Sequence, residues 1–175
     1  MICAVMSSSK IAGADLFCKE IIFLQKVIIS HPTRPEIFLA LRRSAHDAKR
    51  PNDWDLAGGH VLFGEDSKES LLREVKEEVG IGIKDIFPIQ VTTTYEKEQS
   101  ICKLLIGYRG IALSDKIELS PEHTSYLWVS FEEFKELTNT RFLLDLAAIA
   151  KKYDQLRLHW QTFDLAQGDI RNCLG

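Results

Sequence analysis

The stretch DSKESLLREVKEEV, residues 66–79, does most to limit what this chain can fold into. At about 3.6 residues per turn, Leu71, Leu72, Val75 and Val79 fall on one stripe. Asp66 or Ser67 can cap the first turn, and Gly80 stands where a left-handed C-terminal cap belongs. A helix with a single apolar stripe must bury it against another layer.

The neighbouring segments supply that layer. EIIFLQKVIIS (20–30) and EIFLALRR (36–43) read as strands joined by the proline-containing turn HPTRP, which predicts a hairpin at the front of the domain. WDLAGGHVL (54–62) reads as a short strand broken at Gly58-Gly59. After Pro88, IQVTTTYE and ICKLLIGYRGIAL predict two strands around the turn EKEQ, and SYLWVSF (125–131) predicts another. Residues 131–156 read as helical with a break near Thr138 to Thr140, and the tail beyond about residue 157 shows no clear period. Strands before, between and after two helices predict a mixed α/β domain with helices on both sheet faces. The expected organisation is a lead-in over 1–15, one domain over 16–156 and a tail over 157–175.

Composition narrows the function classes. The chain has 175 residues, enough for one well-cored domain. The net charge of −3 provides no basic field to recruit nucleic acid. Cys3, Cys18, Cys102 and Cys173 form no CxxC pair and lack zinc-ligand spacing, so free thiols in a reducing compartment are expected. MICAVM is a short apolar run without a basic flank, and no apolar run reaches membrane-spanning length. A cytoplasmic protein with no membrane partner is the expectation.

Glu74, Glu77 and Glu78 lie within five positions of one another and share a helix side distinct from the apolar stripe. The plain reading is a solvated acidic face. The alternative is a shared cation, because clustered carboxylates repel and hard divalent ions such as Mg²⁺ or Mn²⁺ take oxygen ligands.

The wider pattern weighs on that choice. Gly59, Glu65, Arg73-Glu74, Glu77-Glu78 and Gly80, with aliphatic residues at Val75 and Ile81, resemble the Nudix box of the Nudix (MutT-like) hydrolases at every specified position. WDLAGGHV resembles the strand that leads into the box in that family, with Ala57 where proline is common. LSPEHTSYLWVSFEEF (119–134) resembles a further family stretch. The resemblance implies a Nudix-type α/β/α sandwich around a mixed β-sheet. It also implies metal-dependent cleavage of a nucleoside diphosphate linked to another moiety.

By the same resemblance, Glu74, Glu77 and Glu78 hold Mg²⁺ or Mn²⁺, or one of them is the general base. The Gly59 carbonyl is a further ligand candidate. Glu65 and Arg73 form a supporting ion pair, and Gly64 and Gly59 let the backbone turn beside the ion. Glu122 is the candidate for a carboxylate from outside the box, with Glu96 and Glu98 as rivals. His123 is read as a packing or surface histidine.

On the substrate side, Arg42 and Arg43 can meet phosphate oxygens. Adjacent strand residues face opposite ways, so at most one points into the cleft. Tyr95 and Tyr108 can stack a base, although packing is the commoner role. Trp54 and Trp128 fit core positions. Trp160 can cover a sheet edge or make a homodimer contact, and the sequence does not choose.

Two other readings carry tests. A non-catalytic Nudix-fold sensor would be expected to lose box carboxylates or Arg73, and all are present. An isoprenoid diphosphate isomerase would need a cysteine placed for protonation, and neither Cys18 nor Cys102 has an evident acid partner. The expected ligand is therefore a small nucleotide derivative of unassigned identity.

Overall fold

A computed structural model describes residues 18–171, with side chains described through residue 156. The elements are β1 (Glu20–Ser30), β2 (Phe38–Arg43), β3 (Trp54–Asp55), α1 (Ser67–Val79), β4 (Ile83–Glu96), β5 (Ile101–Ala112), β6 (His123–Val129), α2 (Phe131–Leu137) and α3 (Arg141–Arg171). The six strands form one mixed sheet in the order β3-β2-β1-β5-β4, with β6 on the other side of β2. β1 and β5 run parallel from Glu20↔Ile101 to Ser30↔Ile111, and every other pairing is antiparallel.

Two apolar clusters occupy the two faces. On one, Leu71, Val75 and Val79 of α1 are fully buried against Val27, Ile29, Leu39 and Tyr108. On the other, Phe134 of α2 and Leu143, Leu146 and Ala147 of α3 pack on Ile28, Phe38, Ala40 and Leu56. The stripe read from the sequence therefore sets the rotation of α1. Its caps are Asp66, whose carboxylate accepts from the Lys68 and Glu69 N–H groups, and Gly80 at φ 72°.

Three expectations need correction. β4 begins at Ile83 and runs through Pro88. The proline is tolerated because β4 is the sheet edge and its pairing with β5 shifts register on either side of Pro88. The strand over 54–62 shrinks to Trp54–Asp55, and the remainder contributes only the bridges Val27↔Ala57 and Leu24↔His60. The helical break at Thr138 to Thr140 is present, but α3 then continues past residue 157 to Arg171. That stretch contains no proline to stop it. The lead-in over 1–15 lies outside the described residues, and so does the side chain of Trp160.

Gly58 carries the sharpest backbone constraint. Its φ is 119°, and a Cβ there would stand 2.5 Å from the Gln25 carbonyl oxygen. Both strain and clash penalise any side chain, and neither obstacle is a movable side-chain end. Gly58→Ala is expected to destabilise the fold by at least about 2 kcal/mol, read as a lowered midpoint in thermal unfolding.

Candidate active site

The segment 57–60 passes along the free edge of β1 and lies under the C-terminal half of α1. The Gly59 carbonyl accepts the Gln25 N–H at 2.8 Å, and the Ala57 carbonyl accepts the Val27 N–H at 2.9 Å. The Gly58 N–H donates to Glu78 Oε2 at 2.8 Å. A Cβ on Gly59 would stand 2.5 Å from Glu74 Oε2, so the Glu74 carboxylate occupies the space a side chain would fill. The fold thus sets Glu74 and Glu78 against the Gly58-Gly59 backbone.

Glu78 is almost fully buried. Burial pushes its carboxyl up to about 7, and the negative charges of Asp55 and Glu74 add to the rise. Lys26 and the Gly58 N–H oppose it.

Arg73 organises the rest. Its Nε and Nη2 donate to Glu65 Oε1 and Oε2 at 2.8 and 3.1 Å, a two-pronged pairing. Its Nη1 donates to Glu74 Oε1 at 2.9 Å and to Glu77 Oε2 at 3.0 Å. Glu65 Oε2 also accepts the Leu62 N–H at 3.1 Å, so the pair ties the loop 61–65 to α1. The Arg73 guanidinium holds the Glu65 carboxyl down at about 2.

The three box glutamates therefore do not meet at one point. Among the described residues, no three His, Cys, Asp or Glu side chains stand together closely enough to hold a metal ion. Glu74 and Glu77 turn to Arg73, whose several N–H donors relieve their repulsion, and Glu78 turns to Gly58.

Beneath Glu78 lies a charged cluster that sequence spacing did not reveal. Asp55 is completely buried. Its Oδ2 faces Lys26 Nζ at 3.2 Å, accepts Arg43 Nη1 at 2.7 Å and accepts Arg50 Nη2. Its Oδ1 accepts the Leu56 N–H at 2.8 Å. Lys26 Nζ also donates to the Leu56 carbonyl at 2.8 Å. Burial alone would raise the Asp55 carboxyl, but Lys26, Arg50, the Leu56 N–H and Arg43 outweigh it and bring it to about 2. Asp47 pairs with Arg43 and accepts the Lys49 and Arg50 N–H groups, which fixes the loop after β2. A lysine interrupting the apolar run of β1 was the one available signal, since such a residue must find a partner.

The remaining candidates are dispersed. Arg43 is committed to Asp47 and Asp55, whereas Arg42 is exposed with its Nε toward the Asn52 carbonyl at 3.4 Å. Glu122 is exposed; its carbonyl accepts the Ser44 N–H at 2.8 Å, and it borders a depression of about 360 Å³ with Ser44, His46 and Asp47. Glu96 is paired with Lys103, and Glu98 is exposed. His123 is buried, and burial with the nearby Lys26 charge brings it down to about 4, so it is a neutral packing histidine. Tyr108 is core: its hydroxyl accepts Gln25 Nε2 at 3.2 Å and donates to Ser67 Oγ at 3.3 Å. Tyr95 is exposed on β4, remote in register from β2 and β3. Trp54 and Trp128 pack partly buried against the two cores.

Comparison with known proteins agrees with this arrangement. The family model of the NUDIX domain matches residues 26–148. An RNA pyrophosphohydrolase of Nitratiruptor sp. is 29% identical over 59% of this chain and 72% of its own length. The nucleoside triphosphatase NudI of Salmonella arizonae is 32% identical over 48% of this chain and 66% of its own length, so the chain spans about two thirds of that relative. The crystal structure of a MutT protein from Methanosarcina mazei is 29% identical with a TM-score of 0.60, over 79% of this chain and 96% of that one. With the box, the sandwich and these likenesses in agreement, the chain belongs to the NUDIX domain family and is a MutT-like Nudix pyrophosphohydrolase.

Proposed function

We propose that the chain hydrolyses the pyrophosphate bond of a nucleoside triphosphate or a related nucleotide derivative, in a reaction that needs Mg²⁺ or Mn²⁺. The observation that carries the reading is the pair of carboxylates packed on the Gly58-Gly59 backbone. Glu78 is buried close to Asp55 and Glu74 with too little positive charge to keep it ionised, so its carboxyl rises to about 7. A cation beside it would reverse that rise.

The donor set fits a hard divalent ion, because it consists of carboxylate and carbonyl oxygens. Glu74, Glu77, Glu78 and the Gly59 carbonyl would hold the ion. The bound ion supplies charge neutralisation on the pyrophosphate and lowers the pKa of water. The chain's own residues do the positioning. Arg73 holds loop 61–65 to α1 through Glu65 and restrains Glu74. Asp55, itself held by Arg43 and Arg50, fixes Lys26 beneath Glu78. Arg42, exposed at the end of β2, has donors for phosphate oxygens, and Glu122 is the outside carboxylate in this reading. The free Cys18 and Cys102 thiols support a cytoplasmic location, and no described helix is long and apolar enough to cross a membrane.

The test is incubation with a panel of nucleoside triphosphates and nucleotide derivatives, with Mg²⁺ or excess EDTA, and product identification by mass. Hydrolysis at a pyrophosphate bond, abolished by EDTA and restored by Mg²⁺, is expected. Full turnover in EDTA would overturn the metal requirement.

A further inference from the structure

β4 is the longest strand of the sheet, and among the described residues no strand pairs with its outer side. Alternate residues of such an edge present their N–H and C=O groups outward, a template for one more strand. Folded proteins usually blunt an edge with charges, a proline or a bulge. β4 is blunted in its first half only. Residues 83–89 hold Lys84, Asp85 and Pro88, and both shifts of register against β5 fall there. From Gln90↔Gly107 to Glu96↔Ile101 the pairing runs without interruption. That segment, QVTTTYE, carries four β-branched residues and one charge, on Glu96, which is already paired with Lys103. Val91 is 64% exposed and Tyr95 63%, and Thr93 between them is exposed as well.

The pattern of this segment fits a second copy of itself. The regular run covers the seven residues 90–96, and its midpoint is Thr93. Laid antiparallel across a two-fold axis at Thr93, Val91 of one copy stands opposite Tyr95 of the other, Thr92 opposite Thr94, and Gln90 opposite Glu96. An aromatic ring meets a β-branched side chain, threonines meet threonines, and an amide donor meets a carboxylate. These are favourable cross-strand pairs, and no like charges oppose. Pro88 falls opposite Glu98, beyond the end of the strand at Glu96, so it removes no bond from the new ladder. Of seven facing pairs, three or four exchange two backbone hydrogen bonds each, about six to eight bonds in all. A typical specific interface carries about 5–15.

We propose that β4 pairs with β4 of a second copy, antiparallel and centred on Thr93, so that two sheets become one continuous sheet. The inference stands apart from the hydrolase reading, since it uses none of the residues given a part in the proposed reaction.

The experiment measures the mass of the full chain by light scattering over a wide concentration series. The expected result is a reversible dimer. Thr93→Lys and Thr93→Glu each place two like charges together at the axis and should raise the dissociation constant at least about tenfold. Position 93 is exposed, so both variants should keep the wild-type circular dichroism spectrum. Mixing the two variants should restore the dimer, because only a residue that faces its own copy is rescued in this way. A second measurement leaves position 93 untouched. With p-benzoylphenylalanine in place of Val91, irradiation of mixed isotopically light and heavy chains should give light-to-heavy cross-links to the peptide that carries Tyr95. A wild type that stays monomeric at every concentration would overturn the proposal. So would a dimer that both Thr93 variants leave intact, a mixture of the two that remains monomeric, or cross-links from position 91 to any other part of the second copy.

Discussion

Glu78→Gln should lower kcat by at least about a hundredfold, the scale for losing a metal-supporting group or a positioned acid–base group. The substitution keeps the shape and the acceptor oxygen that receives the Gly58 N–H, so the loop and helix stay in register. In the proposed reaction, what it removes is the negative charge that a divalent ion would need beside the pyrophosphate. The loss should therefore fall on kcat more than on KM, because it concerns transition-state stabilisation more than ground-state binding. Steady-state kinetics with a Mg²⁺ titration checks it, and wild-type turnover would remove Glu78 from the chemistry.

The same variant should not be less stable. The Glu78 carboxyl sits at about 7 in the fold against an ordinary 4.5, because burial disfavours its charged form. A carboxyl raised in the folded state favours folding fully only below its ordinary value. That contribution is lost as pH rises from about 4.5 through about 7. Glutamine has no charge to lose. In EDTA, the thermal midpoint of Glu78→Gln should match the wild type near pH 4 and exceed it increasingly up to about pH 7. A fall in midpoint at neutral pH would show that the buried charge is already compensated without a metal. On the proposed role of Glu78, function would run against stability here, as expected where a site is built to receive a charged ligand.

The elements that the sequence specified well are those determined locally. The stripe of α1 and its two caps lie within fifteen positions and rest on periodicity and backbone chemistry alone. The spacing of Glu65, Arg73, Glu74, Glu77 and Glu78 is equally local, and the resemblance carried by that spacing implied the Glu65–Arg73 pairing found in the structure. The orientation of the carboxylates was not legible, because it depends on which donor reaches them first. Arg73 and the Gly58 N–H compete for them, and their ranking is set by a loop packed from elsewhere. The path of β4 through Pro88 was hidden for a similar reason. A proline forbids an interior strand but not an edge, and edge position belongs to the whole sheet. The Asp55 cluster was least legible. Its members, Lys26, Arg43, Arg50 and Asp55, come from β1, β2, a loop and β3, and only the sheet order brings them together.

Replacing Asp55 by asparagine should destabilise the protein by about 3–5 kcal/mol, the range for breaking a buried ion pair by removing one partner. Asp55 is completely buried, and Lys26 beside it is 5% exposed, so water cannot take over the lost charge. Asparagine retains an oxygen for the Leu56 N–H but leaves Lys26, Arg43 and Arg50 facing one another without their shared counterion. For a chain of this size the thermal midpoint should fall by roughly 6–20 °C at neutral pH. The pH dependence separates this charge effect from a packing defect. The Asp55 carboxyl lies at about 2 in the fold against an ordinary 3.8, a depression set by Lys26, Arg50 and the other donors against the opposing effect of burial. A depressed carboxyl stabilises the fold fully above its ordinary value and loses that contribution as pH falls through the folded value. The wild type should therefore lose stability between about pH 4 and pH 2, and Asp55→Asn should lose less over the same window, so the two midpoints converge in acid. A constant gap between them from pH 7 to pH 2 would assign the defect to shape, and the three cations would then need another counterion to account for their burial.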